Sequence, residues 1–76
     1  MKVRLAYKCQ LCGKLEYFGD ELTMSRDDMK SLCNNVIQNQ LFAGNPYLHK
    51  AHMHVLHNCS DNSVGIAVFA GVKVVG

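Results

Sequence analysis

The sequence has no run approaching the roughly 18 consecutive apolar residues of a membrane helix, so no segment reads as a membrane span. Its first eight residues, Met1 to Lys8, alternate basic and apolar side chains and lack the continuous apolar core of a secretory leader, so a cytoplasmic location in a host cell is expected. Charge of one sign is also scarce. Eight Lys and Arg against six Asp and Glu leave a net +2, too balanced to announce a polyanion as partner. Linkers, internal repeats and low-complexity tracts are missing, so residues 1–76 are read as one domain. Nor is there a Ser-His-Asp set, a phosphate-cradling glycine loop or a spaced pair of buried carboxylates, which argues against an enzyme.

What is present is a folded composition, 49% apolar and 18% charged, in a chain too short to bury much surface. Domains near this size bury only about 60% of their unfolded surface, so a staple is expected. Four cysteines are available for it. Cys9-Gln10-Leu11-Cys12-Gly13 lets two sulfurs point at one ion, and the glycine permits the backbone turn that aims amides at them. Two disulfides would suit a secreted chain, whereas a CxxC turn in a cytosolic one fits metal or redox chemistry. Thioredoxin-like redox chemistry needs a helix N-terminus beside the first cysteine, and Gly13 to Phe18 reads instead as a strand.

Val3, Leu5, Tyr7 and Cys9 share one face of an extended strand, which turns the first thiol inward. Leu15 to Phe18 is a short β-prone run closed by Gly19-Asp20, completing a hairpin around the knuckle. Ser25 followed by Asp28 predicts a helix start. Met29, Leu32, Cys33, Val36, Ile37 and Leu41 recur at helical spacing, predicting a helix over residues 26–42 ended by Gly44, Asn45 and Pro46. Residues 51–59 read as a strand with Met53, Val55, His57 and Cys59 on one face and His52, His54, Leu56 and Asn58 on the other. Ser60 to Ser63 forms a turn, and Val64 to Ala70 continues past Gly71 toward Val75 as a largely apolar strand. If that strand formed an exposed edge, burial or a homodimer through it is expected. The expected fold is α+β, a zinc-stapled ββαββ domain with one helix on a short antiparallel sheet, zinc-ribbon-like.

The strand phase gives the CxxC its counterpart. His57 and Cys59 project the same way, so Cys9, Cys12, His57 and Cys59 make up a Cys₃His set suited to Zn²⁺. Cys33 lies on the apolar stripe of the helix and is read as core. The crowding of His49, His52, His54 and His57 admits another metal arrangement, through His54 with His57 or His52 with His54. It fits the strand poorly, because His52 and His54 face away from His57.

Tyr7 to Lys14, together with His57 to Ala67 and Gly71, resembles a group of small uncharacterised zinc-ribbon-like proteins of bacteriophage and prophage origin. These pair an N-terminal CxxCG with a C-terminal HxC, an Asp/Asn turn and a glycine-punctuated strand. The resemblance covers both ends of the chain and leaves the helix aside. It implies the same four ligands and a phage-related origin, and it brings no activity with it.

A closed Cys₃His site leaves no position for water or substrate, so the metal is expected to hold the fold. The expected function is a small phage-related zinc-binding module that acts by binding a host or phage protein. One alternative is nucleic-acid binding through Lys2, Arg4, Lys8 and Lys14, the basic residues along the first strand and its turn. Another is a metal-dependent enzyme that uses the His49–His57 cluster.

Overall fold

The computed structural model describes residues 1–38, 51 and 54–76. Strands β1 (Lys2–Cys9) and β2 (Leu15–Thr23) form the first hairpin, α1 spans Arg26–Ile37, and β3 (Val55–Asn58) and β4 (Val64–Val74) form the second. All pairings are antiparallel in a four-stranded sheet of order β2-β1-β4-β3. The fold is thus α+β, with the two hairpins joined through β1 and β4 at the centre. β1 is paired on both sides, Val3 lying between Leu22 of β2 and Val74 of β4.

Alternation along β1 does what its sequence implies. Val3, Leu5, Tyr7 and Cys9 are buried, Lys2 and Lys8 are exposed, and Ala6 is small enough to be covered as well. Tyr7 meets Phe18 and Phe69 edge to face, with ring centroids 5.3 and 5.9 Å apart. Met24, Leu32, Ala51 and Ala67 complete the buried cluster, and Met29 and Val36 of α1 pack against it.

The helix begins where expected. Ser25 accepts from the Asp28 backbone N–H at 3.1 Å and Asp28 Oδ2 accepts from the Ser25 N–H at 3.3 Å, a reciprocal capping box. It ends sooner than expected, at Ile37, with Gln38 as its cap. Ile37, placed on the buried stripe by its spacing, is 79% exposed, because the stripe that meets the sheet stops at Val36. Leu41 and the helix stop at residues 44–46 lie outside the described residues.

Two strands also depart from expectation. Gly19-Asp20 does not close β2. Val3 pairs with Leu22 and Leu5 with Phe18, so Gly19, Asp20 and Glu21 stand opposite Arg4 alone in a bulge. Gly19 takes φ +83°, open to glycine, and the strand resumes beyond it. β3 is shorter than residues 51–59: it begins at Val55, and Ala51 is helical and buried. Met53 lies outside the described residues. In β4, Ala70 is looped out between the Tyr7–Phe69 and Ala6–Gly71 pairs. The extra residue shifts the core-facing set from Ala67 and Phe69 to Val72. The C-terminal strand is no edge over Val64 to Ala67, where β3 flanks it.

Candidate metal centre

Both turns come to one end of the sheet because β1 and β3 flank β4 there. Cys9 closes β1, and the turn after it is held by the Cys9 N–H to Lys14 C=O bond and the Gly13 N–H to Cys9 C=O bond, both 3.0 Å. Gly13 sits at φ +79°, a conformation costly for a residue with a Cβ. The Gln10 N–H donates to Ile66 C=O at 2.9 Å and ties this turn to β4.

His57 lies on β3 and Cys59 just beyond it. The second turn is closed by the Cys59 N–H to Ser63 C=O bond at 2.9 Å and the Asn62 N–H to Cys59 C=O bond at 3.2 Å, with Asn62 at φ +71°. Asp61 Oδ1 accepts from the Ser63 N–H at 3.0 Å, and this bond holds the Asp61 carboxyl below its ordinary range.

The ligand atoms of Cys9, Cys12, His57 and Cys59 all lie within 4.8 Å of one another, and the four could hold a metal ion. Cys9 Sγ is 3.9 Å from Cys59 Sγ, and His57 Nδ1 is 3.5 Å from Cys12 Sγ and 3.6 Å from Cys59 Sγ. Tetrahedral zinc, with bonds of about 2.3 Å to sulfur and 2.0–2.1 Å to nitrogen, spaces its ligands about 3.5–3.8 Å apart, close to these three separations. Cys9, His57 and Cys59 are buried while Cys12 is exposed, which places the centre under the first turn.

Two residues shape the centre that its ligand motifs do not announce. Gly65, opposite His57 on β4, backs the sulfurs: a Cβ there would stand 2.5 Å from Cys9 Sγ and 3.6 Å from Cys59 Sγ. Glu16 Oε1 is 3.2 Å from His57 Nε2 and 3.5 Å from Lys14 Nζ. The signal for Glu16 is the phase of β2. Glu16 pairs with Tyr7 as Phe18 pairs with Leu5, so a carboxylate occupies a core-facing position at the metal end.

The protein's own field separates the thiols. The Cys12 backbone N–H leads the effects that lower Cys9 to about 6, joined by the Leu11 N–H and by the Cys12 and His57 side chains. Burial leads those that raise Cys59 to about 12, followed by the Cys12 and Cys9 sulfurs close by. A thiolate and a thiol side by side suit a site completed by a cation, since the ion binds sulfur in its deprotonated form.

Other singled-out residues lie elsewhere. His54 is exposed and outside the cluster, and His49 and His52 fall outside the described residues. Cys33 is half-buried on α1 beside Met29 and Val72, apart from the other sulfurs. Of the basic residues, Lys2, Lys8 and Lys14 are exposed. Arg4 braces the bulge, its Nη2 donating to Gly19 C=O at 2.9 Å and its guanidinium 5.6 Å from the Tyr17 ring centroid. Among the described residues no helix is long and apolar enough to cross a membrane. No protein-family model, curated protein or solved structure matches the chain.

Proposed function

We propose that Cys9, Cys12, His57 and Cys59 hold one zinc ion as a structural staple, and that the stapled domain is a non-enzymatic module that binds a protein partner in a phage-related setting. The convergence of three sulfurs and one imidazole nitrogen within 4.8 Å, from two hairpins far apart in the chain, carries the metal part. Four protein ligands complete a tetrahedron, so the ion supplies cohesion and no open position for chemistry. The phage-related setting rests on the paired CxxCG and HxC motifs alone.

A protein partner is favoured by the apolar side chains left outside beside the centre. Leu11 is 63% exposed and Leu56 68%, and Val64 and Ile66 are exposed as well. Leu56 pairs with Ile66 and Val64 lies two residues before it, so these three share the face of β3 and β4 turned away from His57, and Leu11 lines a shallow hollow with Val64 and Ile66. The basic residues offer less to phosphate, since Arg4 is engaged at the bulge and Lys14 with Glu16.

Native mass spectrometry of the purified chain should show one zinc per chain, removed by a strong chelator. His57→Ala and Cys59→Ser should abolish uptake, while His54→Ala and Cys33→Ser should keep it. Uptake that survives His57→Ala would overturn the ligand set. For the partner class, titration with a mixed-sequence oligonucleotide at two salt concentrations should show no binding. Tight binding that weakens steeply with salt would favour the nucleic-acid reading instead.

A further inference from the structure

The ring of His57 has two nitrogens, and only one of them can face the sulfurs. Nδ1 lies 3.5 Å from Cys12 Sγ and 3.6 Å from Cys59 Sγ, and Nε2 lies 3.2 Å from Glu16 Oε1. A carboxylate accepts and does not donate, so the proton between His57 and Glu16 belongs to Nε2. That leaves the Nδ1 lone pair directed at the position of the ion. Glu16 is itself held from the solvent side by Lys14 Nζ at 3.5 Å from the same oxygen. His57 is 7% exposed, so little water reaches the ring to compete for the Nε2 proton.

We propose that Glu16 is a positioning residue of the metal centre: its carboxylate fixes the tautomer and the ring orientation with which His57 offers Nδ1 to the metal. The role rests on the zinc reading given above. Its physical basis is that a ligating imidazole whose other nitrogen donates to a carboxylate is both oriented and a better donor, and loss of such a partner commonly weakens metal binding about 10- to 100-fold. β2 is suited to supply the group. It leaves the first turn at Lys14, and by its second residue it has returned a side chain to the core-facing side next to β1.

The test compares the full chain with Glu16→Ala, Glu16→Leu and Glu16→Gln by zinc competition against a chromophoric chelator. In the same samples, ring-nitrogen NMR of His57 in the zinc form reads the tautomer and the exchange rate of the Nε2 proton. Glu16→Ala and Glu16→Leu should still take up one zinc, about 10- to 100-fold more weakly, with a fast-exchanging Nε2 proton. Leucine keeps the bulk of the side chain, so a loss shared by both is not due to a gap in the strand. Glu16→Gln retains an acceptor oxygen and should restore proton protection and most of the affinity. A parent chain that binds zinc beside Glu16→Ala and Glu16→Leu variants that bind it equally tightly overturns the positioning role alone. A parent chain that takes up no zinc overturns the zinc reading and the positioning role with it.

Discussion

Gly65 shows how much a centre of this kind depends on a residue that offers it no ligand. A methyl group at this position would stand 2.5 Å from Cys9 Sγ and 3.1 Å from Leu11 Cβ, and neither sits at the free end of a long side chain. Gly65→Ala is therefore expected to displace Cys9, to weaken zinc binding and to lower stability by about 1–3 kcal/mol, the usual scale of overpacking. Gly19→Ala is the control: its Cβ would meet nothing within 4 Å, and only its φ of +83° is costly, so it should lower the melting temperature and leave zinc affinity unchanged. Chelator competition and thermal melts on both variants check the pair. The thiols give a second expectation. With Cys59 raised to about 12 and Cys9 lowered to about 6, zinc binding near neutral pH must displace the Cys59 proton, so affinity rises with pH there. Below about 6, Cys9 is protonated too, and the dependence steepens. Calorimetric titration in buffers of different ionisation enthalpy should show proton release, and a buffer-independent heat would contradict it. That His57 and Cys59 turn the same way, toward Cys9 and Cys12, was legible because residues two apart on an extended chain project to one side. Gly65 was not, since its role depends on which strand lies beside it.

The start of α1 was legible and its end was not, while β3, expected from residue 51, begins only at Val55. Ser25 and Asp28 marked the first turn of α1 from four residues of sequence, because capping is a local exchange of hydrogen bonds. Ser25→Ala should accordingly cost about 0.5–2 kcal/mol in chemical denaturation with the fold and zinc content intact. Leu32, fully buried under the sheet, is the anchor of the same helix, and Leu32→Ala should cost more, about 2–5 kcal/mol. A Ser25→Ala loss as large as that of Leu32→Ala would mean that capping, and not packing, holds α1 in place. The helix end depended instead on where the sheet stops offering a surface, and Ile37 fits the helical period with no surface to meet. The bulges show the same limit. Gly19 reads as punctuation, yet whether it ends a strand or bends one is decided by β1, which pairs with β2 on both sides of it.

At the scale of the molecule, the order β2-β1-β4-β3 explains why a staple has so much to hold. The central pairing, β1 with β4, joins the two ends of the chain, so the sheet closes only after α1 and the segment beyond it have been traversed. Such a long-range pairing carries a loop-closure cost before any contact offsets it. Cys9, Cys12, His57 and Cys59 come from the same two hairpins, so an ion held among them would stabilise the step that costs most. Stabilities of about 0.05–0.15 kcal/mol per residue give a chain of this size roughly 4–11 kcal/mol in all. Structural zinc binding is worth on the order of 10 kcal/mol or more at neutral pH. The two are of one scale, so removal of zinc should affect the whole sheet and not only its metal end. Hydrogen exchange with and without chelator checks this. Amides of Val3 and Leu5, in the core away from the centre, should lose protection together with those of Cys9 and Cys59. If the Val3 and Leu5 amides stay protected while only the two turns exchange, the ion is a local clip and the apolar core under α1 is sufficient to hold β1 against β4.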